Sequence, residues 1–298
     1  MKKILSFRFA YIVFLVVVLP ACRKKKIDPP PDDSFPCKIQ WIAALSEGAN
    51  DPGLYPDTLR FSYDSHGNLA AISRIRSTDL IYPNYTFWYD NQHRVTDVIG
   101  TGSLPVTSGN SFQSWHKLYY TNGKVTLDSL FIYGRIDGRR PNGFNGAGPN
   151  LTFVSTYEYD SLGRIKQATD LNPATYTQTQ YFTYGGTGNL TRITQVSGYI
   201  SNPTEDTVVG IFPLGDAYVN PNLGYPIFQF LNRNYSLNNQ FIATAYNEEG
   251  LPTIIPQQGQ PYLGHLKQYT EFGFLELIDP LTIQYNCELS GPEGGHGY

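Results

Sequence analysis

Methionine is nearly missing from this 298-residue chain, with a single copy, and cysteine occurs only three times. Helical patterning is missing too: no stretch sustains apolar residues at a 3.6-residue spacing between capping signals, which excludes a helical bundle. No apolar run reaches the roughly 20 residues that a spanning helix needs. Positive charge is scarce, since 22 Lys and Arg against 25 Asp and Glu leave −3 overall, and this argues against a nucleic-acid partner. The signatures of common chemistry are absent as well. There is no Gly-x-Ser-x-Gly elbow, no His-Glu-x-x-His pair, no Gly-x-x-x-x-Gly-Lys loop and no calcium loop closed by glutamate. Hydrolytic and nucleotide chemistry have no motif support in the sequence, and no resident cofactor or metal is expected. What is abundant is tyrosine, 23 of them, with 17 Phe, 28 Gly and 21 Pro, a composition that favours strands and turns. The expected class is all-β.

The N-terminus is built differently from the rest. Lys2, Lys3 and Arg8 lead into an apolar run from Phe9 to Leu19, followed by Leu19-Pro20-Ala21-Cys22. A positive start, a short apolar stretch and a small residue before the cut make residues 1–21 an export signal. The tetrapeptide resembles the bacterial lipobox, which implies cleavage before Cys22 and a lipid on that cysteine. An uncleaved anchor, favoured by the basic run Arg23 to Lys26, and secretion without lipid are the alternatives. Loss of residues 1–21 removes three positive charges and no acid, taking the formal charge from −3 to −6. The basic run beside Cys22 adds hold on anionic headgroups, so the membrane is an expected partner through the lipid.

Residues 22–36 carry three consecutive prolines and almost nothing to bury, and read as an extended tether. Residues 37–290 form the proposed β domain, and the Gly-rich tail 291–298 is expected to be disordered. Cys37 and Cys287 stand near the two ends of that domain. An exported chain meets an oxidising environment, so a bridge between them is expected, worth up to roughly 5 kcal/mol in the chain-entropy account. The alternative is two free thiols.

An imperfect repeat decides the fold reading. Its clearest copies are Phe61-Ser62-Tyr63-Asp64-Ser65-His66-Gly67-Asn68-Leu69 and Tyr157-Glu158-Tyr159-Asp160-Ser161-Leu162-Gly163-Arg164-Ile165. Two more run from Phe87 through Tyr89 and Asp90 to Val95, and from Phe182 through Tyr184 and Gly188 to Leu190. A shortened copy spans Leu118 to Val125, and a weaker sixth surrounds Tyr246 and Gly250. Each unit reads as a hairpin. The key tyrosine and the apolar residue two before it share one strand face, the Asp caps its own turn, and Gly supplies a positive φ. In the shortened copy Asn122-Gly123 is itself a preferred two-residue turn. Turns therefore fall near Ser65, Gln92, Asn122, Ser161, Gly186 and Glu248, with the tyrosine face buried.

These units resemble the Tyr-Asp repeats of the RHS family, Tyr-Asp-x-x-Gly-Arg-Leu, most closely at Tyr159 to Ile165. The repeats touch the chain intermittently from about Phe61 to Leu251, and the closer resemblance is to short Tyr-Asp-repeat lipoproteins of Gram-negative envelopes, which implies an outer-membrane or cell-surface location and no settled activity. Hairpins of this kind must pair with neighbours, giving an antiparallel meander of about ten to fourteen strands in a strongly curved sheet or a partly closed, barrel-like wrap. Three segments lack clear alternation and read as long loops that would carry any specificity: 100–114, 134–150 and 201–226.

Candidate chemistry is sparse. His66 and His93 occupy the first two turns and would approach each other if those hairpins stack, a weak two-histidine metal possibility. Asp64, Asp90 and Asp160 are turn formers, Glu248 and Glu249 share a turn, and Glu271, Glu276 and Asp279 have no identifiable partner. Glycoside hydrolysis needs two facing carboxylates, and sequence pairs none. Trp41, Trp88 and Trp115 suit either packing or a ligand platform, with Trp88 facing away from Tyr89 toward solvent or a second layer. Arg135, Arg139 and Arg140 make a small basic patch. The expected function is a non-enzymatic binding or structural module, with a glycan or an envelope protein as possible partner. The alternatives are a carbohydrate-binding lipoprotein of a nutrient-capture system and, third, a glycosidase.

Overall fold

The computed structural model describes residues 37–47, 54–75, 83–102, 111–143, 148, 150–199, 202–212, 217–240, 242–256, 269, 272–275 and 277–287. The signal, Cys22, the tether and the tail lie outside these residues. The described residues fall within one compact unit, Phe35–Tyr298.

The strands are β1 (Lys38–Glu47), β2 (Leu54–Tyr63), β3 (Leu69–Arg74), β4 (Asn84–Tyr89), β5 (Val95–Thr101), β6 (Ser111–Thr121), β7 (Lys124–Asp137) and β8 (Arg140–Asn142). They continue with β9 (Leu151–Tyr159), β10 (Ile165–Asn172), β11 (Tyr176–Tyr184), β12 (Leu190–Tyr199), β13 (Asn202–Ile211), β14 (Ala245–Tyr246), β15 (Pro252–Ile255) and β16 (Ile278–Asn286). All sixteen belong to one antiparallel sheet in which neighbours in sequence are mostly neighbours in space. The meander runs from edge strand β13 back to β1, and β16, β15 and β14 continue beyond β1 to the other edge, so the sheet does not close.

The sheet is larger than the repeat alone suggested, because parts of all three supposed loops are strand. β6 begins at Ser111, β7 reaches Asp137 and turns into β8, and β13 occupies Asn202–Ile211. Tyr133 breaks the alternation of β7 with a φ of 49°. In β13 the start Asn-Pro is tolerated because an edge strand needs no donor on its open side.

All six expected turns are present, near Ser65, Gln92, Asn122, Ser161, Gly186 and Glu248. In the first, second and fourth, the aspartate does the same work: Asp160 Oδ1 accepts from the N–H groups of Leu162 and Arg164, as Asp64 and Asp90 do in theirs. Gly163 sits at φ 80°, and Gly67, Gly188 and Gly250 hold the matching place. In the second turn that place belongs to His93, at φ 59°, a conformation that costs an L-residue roughly 1–2 kcal/mol. The shortened copy turns on Asn122 and Gly123, both at positive φ, as a two-residue hairpin requires.

Successive hairpins are stitched by their tyrosines. Tyr89 donates to the carbonyl of Leu69 at 2.8 Å, Tyr120 to Val95 at 2.7 Å and Tyr159 to Val125 at 2.8 Å, each at the start of the strand that follows the preceding turn. In the first hairpin the residue before that position is Asn68, but in the next three it is a cation that lies over the next tyrosine: Arg94 over Tyr120, Lys124 over Tyr159 and Arg164 over Tyr184. Lys38 of β1 takes this place over Tyr63. After the fifth hairpin the cation position holds Asn189, which exchanges hydrogen bonds with Asn238 and ends the series.

The inward face packs on an irregular plug formed by the described residues 219–240, 242–244, 247–251, 269, 272–275 and 277. Among the described residues its α-helix is α1 (Pro226–Leu231), which buries Ile227, Phe228 and Phe230. Phe228 meets Phe61 of β2 with ring centroids 6.2 Å apart, and Phe230 meets Tyr157 of β9 at 4.9 Å. Those strands are six places apart in the sheet, roughly 29 Å if it were flat, whereas α1 is only about 9 Å long. The sheet must therefore curl around the plug. The plug's irregular backbone is satisfied by buried asparagines: Asn234 Nδ2 donates to the Tyr269 carbonyl, Asn220 Nδ2 to that of Ser236, and Asn232 Oδ1 accepts from Phe274 N–H.

Candidate functional site

Each inward row of side chains, read across the sheet, has its own character. Nearest the repeat turns the row is apolar, with Phe182 opposite Ile193. One step along the strands Tyr157, Ala168, Gln180 and Gln195 stand side by side. The next row is polar throughout: Asp128 faces Ser155, Ser155 faces Asp170, Asp170 faces Gln178, and Gln178 faces Ser197. Beyond it comes a row with Leu130 opposite Phe153, Asn172 opposite Tyr176, and Tyr176 opposite Tyr199. A row of polar groups on a core-facing surface is costly unless every group is paired, so its partners decide what it is for.

Arg233 is the principal partner. It follows α1 at φ 50°, which turns its side chain back onto the sheet. Both guanidinium ends reach Asp170, at 2.5 and 2.7 Å, and the same group donates to Gln180. Ser155 Oγ adds a third bond to Asp170 at 2.6 Å. Burial alone would raise the Asp170 carboxyl, but the charge and bonds of Arg233 hold it below its ordinary value. Next to this pair, His116 Nδ1 and Asp128 Oδ2 lie 2.8 Å apart. Burial would push the His116 imidazole down, yet the charge and hydrogen bond of Asp128 carry it above its ordinary value. The second oxygen of Asp128 is buried without a protein partner.

A comparison within the sheet separates structure from site. Asp57 and Arg74 form an equivalent inward pair at 2.8 Å, and Arg74 also donates to the plug carbonyl of Leu275. Their side chains are 0% and 1% exposed, so that pair is sealed. Asp170 and Arg233 keep 13% and 16%, and His116 keeps 28%. The aromatic row beside them opens further, with Tyr199 at 61%. Phe153, Tyr176 and Tyr199 touch in series, with ring centroids 6.4 and 6.2 Å apart. The Tyr176 hydroxyl is bonded to Gln178.

The residues singled out in the sequence lie elsewhere. Asp64, Gly67, Asp90, Asn122, Gly123, Asp160, Gly163, Gly188 and Gly250 all belong to turns. Cys37 and Cys287 are joined in a disulfide beside the β1–β16 ladder. Glu249 lies near them, but the two sulfurs are already committed to each other. His66 and His93 do approach each other, with ring centroids 4.9 Å apart and planes tilted by 57°, on exposed turns. Trp88 packs into a second layer on the outward face: it meets Trp115 edge to face at 5.4 Å, with Ile99 and Phe112 buried alongside. Arg139 covers Trp88 at 5.5 Å, which turns part of the supposed basic patch into packing. Asp128, Ser155, Asp170, Gln178, Gln180, Tyr176, Tyr199 and Arg233 were not among the expected site residues. Their signal is the repeat itself, because counting back in twos from Tyr120, Tyr159 and Tyr184 gives His116, Ser155, Gln180, Gln178 and Tyr176.

No family model and no curated protein matches the chain. Among solved structures it is similar to a porin-like protein from Bacteroides vulgatus, at 11% identity and TM-score 0.45, over 83% of this chain and 98% of that one. A porin-like protein from Bacteroides uniformis gives 10% identity and TM-score 0.30 over the same shares. Likeness at this level carries nothing about function to this chain.

Proposed function

We propose that this protein is a lipid-anchored, non-enzymatic binding module of a Gram-negative envelope, and that the inward polar and aromatic rows of β6, β7 and β9–β12 are its binding face. The export signal ending at Cys22 and the basic run beside it support the anchor, and the Tyr-Asp hairpins support kinship with envelope repeat lipoproteins. The observation that carries the binding face is the contrast between two arginine–aspartate pairs, Asp57–Arg74 sealed against the plug and Asp170–Arg233 left partly exposed, at 13% and 16%. A purely structural role needs only the sealed kind.

Hydrolysis is the weaker reading. Asp128 and Asp170 stand two strand spacings apart, roughly 10 Å, near the upper end of the range for an inverting pair. A general acid needs a raised carboxyl, and Asp170 is held low by Arg233. The anchor is tested by mass spectrometry of the membrane fraction, which should find a mature N-terminus at Cys22 bearing a diacylglycerol thioether. Membrane attachment unchanged in Cys22→Ala would refute it.

A further inference from the structure

From the charge balance of the open row and the aromatic rings beside it, we infer that the binding face takes a neutral oligosaccharide, seated on Tyr176 and Tyr199 with its hydroxyls toward Gln178, Ser197 and the Asp170–Arg233 pair. This assignment rests on the binding-face reading above and names its ligand. The ionic groups of the row cancel in pairs. Asp170 is spent on Arg233 and Asp128 on His116, so among the described residues of the row no free cation waits for an anionic ligand and no free carboxylate for a cationic one. A wholly apolar ligand would strip water from Gln178, Ser197 and Asn172 and return no hydrogen bonds, which is costly. An extended peptide added as a strand needs a sheet edge, and these residues lie on a face.

What remains is a ligand that offers apolar faces to aromatic rings and, at its rim, hydroxyls that both donate and accept. A sugar ring has that composition. Phe153, Tyr176 and Tyr199 give a contiguous aromatic strip across β9, β11 and β12, and the polar row runs parallel to it one step deeper. An extended chain of sugars lying across the strands meets both rows along its length. The unpartnered oxygen of Asp128 at one end of the polar row supplies a further acceptor for a bridging water.

The test uses the full-length protein in a detergent without a sugar headgroup, probed on an array of neutral and acidic oligosaccharides and then titrated with the strongest binder. Binding should be confined to neutral chains. Tyr176→Ala and Tyr199→Ala should each weaken it about fivefold or more, the scale of a lost aromatic contact. Tyr199→Phe, which keeps the ring, should stay near wild type, and so should Tyr181→Ala on the outward face. Tyr199 is exposed, so its variants keep the fold, and unchanged thermal melting checks that. Binding only to acidic chains, to none, or equally well in Tyr199→Ala overturns the assignment. A peptide or protein ligand whose binding is lost in Tyr199→Ala overturns the glycan while leaving the binding face standing.

Discussion

The Arg164 guanidinium lies 4.2 Å from the ring centroid of Tyr184 in the next hairpin, while Asp160 of its own turn holds it at 2.6 Å. One side chain thus joins a turn to its neighbour, and the Tyr-Asp repeat becomes a physical device. In the second and fourth turns Asp fixes the turn and holds the Arg that follows, and the next tyrosine supplies the ring.

Arg164→Ala should therefore destabilise the protein by about 1–2 kcal/mol in urea unfolding, because it removes the ion pair and the ring contact together. Arg164→Lys should recover part of this, since Lys124 already sits over Tyr159 in the same way. Equal losses for Ala and Lys would mean that the contact is incidental.

The glycine place of the turn predicts effects of opposite sign. Gly163→Val should cost about 1–2 kcal/mol, since a branched residue is strained at φ 80°. His93→Gly should raise stability by about 0.5–1 kcal/mol at the corresponding turn. If both changes destabilise, the two turns do not share one backbone.

Reduction should matter through the β1–β16 ladder. The disulfide joins residues 250 apart in sequence at the end of that ladder. The Cys37→Ser/Cys287→Ser variant should lose roughly 2–5 kcal/mol. Thiol labelling of native, unreduced protein should mark neither residue, and ready labelling of both would contradict the bridge.

His116 makes stability depend on pH in a known direction. Its imidazole is raised in the folded protein, so its pairing with Asp128 contributes fully below about pH 6.5, the ordinary histidine value, and is lost as pH climbs through the folded value. The stability of wild type relative to His116→Gln should fall as pH rises through that window. A difference that stays constant, or grows with pH, would place the proton elsewhere.

Much of this fold is legible in the sequence, because a hairpin is local. A tyrosine followed within nine residues by turn-forming Asp, Asn or Gly specifies a strand end, a turn and a return, and all six turns stand where that chemistry places them. β13 was hidden because an edge strand tolerates proline and needs little apolar alternation. The plug was hidden for another reason. Its partners lie far away in the chain, as with Phe228 on Phe61, and its polar backbone is satisfied by asparagines instead of a periodic ladder. The Asn at 220, 232, 234 and 238 are the visible trace of that solution. The binding face falls between the two cases. Its strand residues follow from the inward parity of each key tyrosine, whereas Arg233 arrives from the plug and no local pattern announces it.

The most direct measurement of the central claim is crosslinking in living cells with a photoreactive phenylalanine analogue placed at Tyr199 on the inward face and, separately, at Tyr181 on the outward face. A binding face on the inner rows predicts a discrete ultraviolet-dependent adduct from position 199 that is lost in the Arg233→Met background, with none from position 181. Adducts from position 181 alone, or from 199 regardless of Arg233, would contradict it.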